Sequence, residues 1–134
     1  MSNHRVPVTA IGAPAAIGPY SHAVRTGGLL FCSGQIALDP DSGELVGDTP
    51  AEQAARCLEN LRAVCAAAGA TLGDAVRMTV YVTDMGAFAE INEAYGEFFD
   101  ADPPARVAVG VAALPKGAQV EIDAVVALPA QGAD

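Results

Sequence analysis

The sequence predicts an α+β fold of two layers, one mixed sheet with two helices on a single face. Two patterns lead there, and the order of elements supplies the third. Val76, Met78, Val80 and Val82 alternate with Arg77, Thr79, Tyr81 and Thr83, the period-two pattern of a half-buried strand. Ala54, Cys57, Leu58, Leu61, Val64, Cys65 and Ala68 recur instead at helical spacing, so this segment has an apolar stripe to lay on a sheet. Along the chain the elements run β-β-β-α-β-α-β-β, which gives one sheet and a single layer of helices.

Taken in order, Val6 to Thr9 reads as a short edge strand and Ala13 to Tyr20 as a loop, because its Gly and Pro residues break regular structure. Ser21 to Thr26 and Leu29 to Ser33 form a hairpin about Gly27-Gly28, with Gly34 ending the second strand. Asp39 to Gly47 is a polar loop. Thr49 with Glu52 forms a capping box, Pro50 takes the first helical position and Gly69 stops the first helix. Asp84 can cap a second helix from about Gly86 to Phe99, with Phe88, Ile91, Tyr95 and Phe98 or Phe99 on its stripe.

The final pair of strands surrounds a turn at Leu114-Pro115-Lys116-Gly117, where Pro and Gly punctuate a reversal. Small apolar residues on these strands leave the uncovered sheet face suited to packing on copies of the chain. Residues 1–134 are expected to form one domain, with 1–5 and 129–134 frayed.

Composition excludes several classes of function. Seven basic residues stand against 16 acidic ones, net −9, a field that repels phosphate backbones and disfavours nucleic acid. No run approaches the roughly 18 apolar residues of a membrane span, and the Pro and Gly residues near the start would break a signal-peptide core. A cytoplasmic protein is expected. Cys32, Cys57 and Cys65 are odd in number and lack CxxC spacing, which suits reduced thiols rather than disulfides or zinc. His4 and His22 have no ligand partners at metal spacing, so no metal is expected, and His22 reads as a strand residue facing solvent.

The candidate chemistry lies in PPARVAVGVAALPKGAQVEIDAVVAL. Arg106 shares a strand face with Ala108 and Gly110, whose small side chains leave room above the sheet, while Glu121 points away from its own strand's apolar row. A cation, an open floor and a carboxylate suit a pocket for a small carboxylated substrate. The plainer reading is two surface charges on a hairpin. Tyr20 follows a rigid IGP turn that would present it or merely pack it. Ser33 and Gly34 lie at a strand end, where glycine lets a ligand approach the backbone. Asn92 is a poor helix former inside a helix, explained by an interface hydrogen bond or by a harmless surface position.

Together APAAIGPYSHAV, LLFCSGQIALDPDSGELVG, FAEINEAYGEFF and PPARVAVGVAALPKGAQVEIDAVV resemble the reactive-intermediate deaminase (YjgF/RidA) family, from about Ala13 to Leu128. The resemblance implies a chorismate-mutase-like fold assembled as a homotrimer with clefts between subunits. It implies hydrolysis of 2-iminoacids to 2-oxoacids and ammonia without a cofactor. By position, Arg106 would grip the substrate carboxylate and Glu121 would position the attacking water. Tyr20, Ser33, Gly34 and Asn92 would line or brace the cleft. Many members carry polar residues where Val107, Ala108 and Gly110 stand, although the Ala108 N–H can still bind a carboxylate. A non-catalytic trimer that binds carboxylates or protein partners, and a ribonuclease, are the rival readings.

Overall fold

The computed structural model describes residues 4–130, so part of the ends expected to fray, 1–3 and 131–134, lies outside the described residues. Among the described residues, six strands and two α-helices build the fold: β1 (Val6–Val8), β2 (Ala23–Thr26), β3 (Leu29–Ile36), α1 (Pro50–Ala67), β4 (Ala75–Val82), α2 (Phe88–Gly96), β5 (Ala105–Gly110) and β6 (Val120–Ala127). The strands form one sheet in the order β1-β2-β3-β6-β4-β5. Only β4 and β5 run parallel, and the other neighbours are antiparallel. The expected mixed sheet with two helices is present.

Both helices share one core with the same sheet face. Leu58, Leu61 and Val64 of α1 and Ile91 of α2 pack in a cluster with Leu30, Met78, Val80 and Ile122. Each fully buried aliphatic side chain of this kind contributes about 1.5–3 kcal/mol. The ends of α1 follow from local chemistry: the Thr49 side chain accepts from the Glu52 N–H, and the Glu52 side chain reaches back to the cap. Gly69 leaves the helix at a φ of 80°, where other residues are strained.

Four local readings change. The last two strands are not a hairpin, because β4 lies between them and pairs with both. After α2 the chain enters β5 parallel to β4, and the turn at Pro115–Gly117 then carries it round to the far side of β4. Its two flanks meet at the end of that strand, where Val111 N–H donates to Val82 and Thr83 N–H donates to Gln119. Second, β3 does not stop at Gly34. A bulge between Cys32 and Gln35 absorbs one residue, and pairing resumes with Gln35 opposite Ile122.

Third, α2 is shorter than its apolar stripe, running to Gly96, with Phe98 and Phe99 in tighter turns that bond to Tyr95 and Gly96. Fourth, His22 does not face solvent. It is buried just before β2, with Nδ1 accepting from the Ala10 N–H and Nε2 donating to the Pro14 carbonyl, both at 2.8 Å. An Nδ1 that accepts leaves the ring proton on Nε2. The ring thereby fixes the loop that leads to Tyr20.

Two buried amides do similar work and have no sequence signature. The Asn60 amide donates to the carbonyls of Ile36 and Leu38, and the Gln53 amide donates to the Gly47 carbonyl while its oxygen accepts from the Gln119 N–H. Among the described residues, no helix is long and apolar enough to cross a membrane.

Candidate functional site

Arg106 and Glu121 occupy opposite faces of the sheet. Arg106 on β5 is in register with Met78 on β4, and Met78 is wholly buried against the helices. Arg106 therefore leaves the sheet on the helix side, at its open edge. Glu121 is in register with Tyr81, three residues further along β4, and an odd step along a strand changes face. It alternates with buried Val120 and Ile122, so it belongs to the face without helices. Within one copy the pocket expected from their pattern does not form. Each charge has a cleft of its own.

The first cleft, about 470 Å³, is lined by Asn92, Tyr95, Phe99, Pro103, Pro104 and Arg106. Here the guanidinium lies 4.9 Å from the Tyr95 ring centre and 5.2 Å from that of Phe88. Its Nη1 donates to Asn92 Oδ1 at 2.7 Å. Two aromatic faces and one amide hold the fork, and among the described residues its other N–H donors have no hydrogen-bond partner. Phe88, Asn92 and Tyr95 share one helical face, which explains the odd asparagine. The aromatic cradle was readable only as an apolar stripe. Burial pushes the Tyr95 hydroxyl above its usual range, partly opposed by Arg106.

Ala108 shares the Arg106 face, in register with Val80 and packed against the core. Since the Val111 N–H bonds to Val82 across β4, counting back by odd steps turns the Ala108 N–H toward the free edge beside Arg106.

The second cleft, about 290 Å³, lies on the other face and is lined by Ile17, Tyr20, Ser33, Gly34, Pro115 and Glu121. Its parts come from the β3 bulge, the β6 alternation and the loop pinned by His22. Ser33 Oγ donates to the Ser21 carbonyl at 2.7 Å, and its N–H donates to His22. Tyr20 is exposed, folded back by a bond from its N–H to Gly18, and its hydroxyl accepts from the Ile17 N–H at 3.3 Å. Burial, then the neighbouring Asp123, raises the Glu121 carboxyl above the ordinary carboxylate range. Asp123 itself accepts from the Tyr81 hydroxyl at 3.0 Å. Ile17 and Pro115 were legible in the sequence only as turn residues, because nothing in an apolar turn marks it as the wall of a cleft.

Around this cleft the uncovered face exposes Phe31, Val107 and Val109 at 46%, 38% and 37%. Val76, expected on the buried side, is exposed instead, because a bulge between Ala75 and Arg77 shifts the start of β4. The three cysteines are free and buried, and burial pushes the Cys57 thiol up. Among the described residues, no three His, Cys, Asp or Glu side chains gather as a metal site.

A family model described as endoribonuclease L-PSP matches residues 10–128. A RutC family protein of Sinorhizobium fredii is 50% identical over 91% of this chain and 97% of its own. The mouse protein named 2-iminobutanoate/2-iminopropanoate deaminase is 47% identical over 84% of each chain. A crystal structure of Escherichia coli TdcF with bound serine superposes with a TM-score of 0.88 at 43% identity, covering 92% of this chain and 99% of that one. By its sequence, its fold and the span of the match, the chain belongs to the endoribonuclease L-PSP (YjgF/RidA/RutC) family, whose members include named deaminases.

Proposed function

We propose that the chain is a cofactor-independent hydrolase that converts 2-iminoacids to 2-oxoacids and ammonia. In this reading it works as a homotrimer of single-domain subunits, with Arg106 of one copy facing Glu121 of the next. The observation that supports it is a guanidinium held by Asn92, Tyr95 and Phe88 on one face of the sheet and a half-buried carboxylate on the other, faces that a neighbouring copy would bring together. Exposed Phe31, Val107 and Val109 on the Glu121 face favour such an assembly. The three free cysteines accord with a reducing compartment, so the cytoplasm is the proposed location.

The chemistry follows from the groups. A guanidinium fork matches a planar carboxylate, and the Ala108 N–H adds a donor at the same edge. The serine in TdcF carries an α-carboxylate of the same kind. Water adds to the imine carbon as Glu121 takes its proton, and the proton passes to nitrogen. Glu121 then carries the hydroxyl proton of the carbinolamine to nitrogen, the C=O bond forms as the C–N bond breaks, and ammonia leaves with the 2-oxoacid. The imine is already electrophilic, so orientation and one proton carrier suffice.

The ribonuclease activity in the family's description finds little support in this chain. Of its seven basic residues, Arg62 is paired with Glu59 and Arg106 is held by Asn92, within a net charge of −9. Ammonia release over a panel of iminoacids made in situ by an amino-acid oxidase tests the proposal. Accelerated release above the spontaneous rate is the expected result. Binding of 2-oxoacids without acceleration would replace it with the non-catalytic carboxylate-binding reading.

A further inference from the structure

Gly34 lies in the β3 bulge where, by its sequence alone, a ligand would approach the backbone. In the structure it lines the second cleft, and the place of its missing side chain is taken by Glu121. A Cβ built on Gly34 would overlap Glu121 Oε2 and stand 2.9 Å from Glu121 Cδ and 3.1 Å from Cγ. Beyond the flanking residues Ser33 and Gln35, these Glu121 atoms are the nearest to it. Nor does the backbone need glycine for its conformation. The glycines with positive φ are Gly27, Gly43, Gly47, Gly69 and Gly117, and Gly34 is not among them. The residue supplies space, and the carboxylate of Glu121 fills it.

The floor under that carboxylate is fixed from the other side. Ser33 holds the bulge to the chain before β2 through its Oγ bond to Ser21 and its N–H bond to His22, and the His22 ring is bonded at both nitrogens. On the far strand, Glu121 follows wholly buried Val120 and precedes wholly buried Ile122. Its backbone is pinned, so its freedom is that of a side chain swinging about its own torsions. A methyl group at position 34 would push out this flexible side chain rather than any backbone. The fold can tolerate that, and the position of the carboxylate cannot.

We propose that Gly34 is a positioning residue, the seat that holds the Glu121 carboxylate over the bulge of β3 and aims it into the cleft. The inference rests on the proton-carrying role proposed for Glu121, and it assigns Gly34 an action through that residue rather than on the substrate. It differs in a measurable way from the reading of Gly34 as the point where a ligand approaches the backbone. A glycine that clears room for a ligand controls binding, whereas a seat for a proton carrier controls the chemical step.

The experiment is a cycle of Gly34→Ala and Glu121→Gln, assayed by ammonia release from 2-iminobutanoate generated in situ, with a thermal melt of each full-length variant. Gly34→Ala should lower kcat about tenfold to a hundredfold with KM within about twofold, because a carboxylate displaced by a methyl radius loses its alignment with the proton it takes. In the Glu121→Gln background the same change should lower kcat by less than about twofold, since nothing remains for the seat to aim. A rise in KM at unchanged kcat, an unaltered kcat, or a full multiplicative loss in the Glu121→Gln background would overturn the inference. If Gly34→Ala lowers Tm, it should do so less in a Glu121→Ala background, where the overlapping atoms are gone. An equal loss of Tm in both would again overturn it. Full activity of Glu121→Gln alone would take down the proposed reaction role and this inference together. An inactive Glu121→Gln beside a fully active Gly34→Ala would remove only the seat.

Discussion

Glu121→Gln is expected to lower kcat on a good iminoacid substrate by about 10²–10⁴-fold, with KM nearly unchanged. Glutamine keeps the shape and can still hydrogen-bond, but it cannot accept a proton from water. Steady-state ammonia release checks the result, and full retention of kcat would make Glu121 a structural charge only. The acid limb of the parent's rate profile should lie above the usual carboxylate range, because burial and then Asp123 disfavour the ionised form. Stability should follow with a definite sign. A carboxyl whose pKa is raised by folding binds its proton more tightly in the folded state. The parent therefore loses stability relative to Glu121→Gln as pH rises from the unfolded-chain value of 4.5 through the raised folded value. Below that window both proteins carry a neutral group, and the difference between their melting temperatures should stop changing with pH.

Arg106→Ala is expected to act on binding. Losing a charge-assisted contact costs about 1.5–3 kcal/mol, which raises KM by about 10- to 150-fold, since each 1.36 kcal/mol is tenfold. Some loss of kcat should accompany it as the substrate is held less well. Arg106→Lys separates charge from geometry. Lysine restores the cation but neither the fork nor the flat group that lies over Tyr95 and Phe88. It should recover only a small part of the lost affinity. Full recovery would mean that a point charge is enough.

The parts of this fold that could be read from sequence are those fixed by neighbours in the chain. Thr49, Pro50, Glu52 and Gly69 mark the ends of α1 because capping is settled within a few residues. Pairing of β5 and β6 could not be read the same way. Pro115 and Gly117 announce a reversal, but a reversal does not say which strand lies alongside, and β4 had already taken the place between them. Buried His22, Gln53 and Asn60 were invisible for a related reason. A polar side chain is buried where the tertiary fold leaves a backbone group unpaired, and that place exists only after folding.

The candidate site divides along the same line. Alternation correctly set Glu121 opposite its own strand's apolar row and Arg106 beside Ala108. Relating the two strands needed the registers of Arg106 to Met78 and of Glu121 to Tyr81. Those registers are properties of the whole sheet, set by strands far apart in the chain. The roles given to Tyr20, Ser33, Gly34, Asn92 and Ala108 came from the family resemblance, and the geometry supplies each with neighbours that a sequence cannot list.

The separation of Arg106 from Glu121 by the thickness of the sheet also bears on mixtures. If every working cleft borrows its cation from one copy and its carboxylate from the next, two disabled proteins can repair each other. Arg106→Ala and Glu121→Gln, each nearly inactive alone, would form mixed rings after joint refolding. In random equal mixtures about a quarter of the clefts would draw both intact groups, one from each kind of chain. Recovered turnover near that fraction of the parent's rate would count the copies that contribute to a cleft without any image of the assembly. A mixture as inactive as its parts would mean that cation and carboxylate serve the same copy, through a rearrangement of the sheet edge.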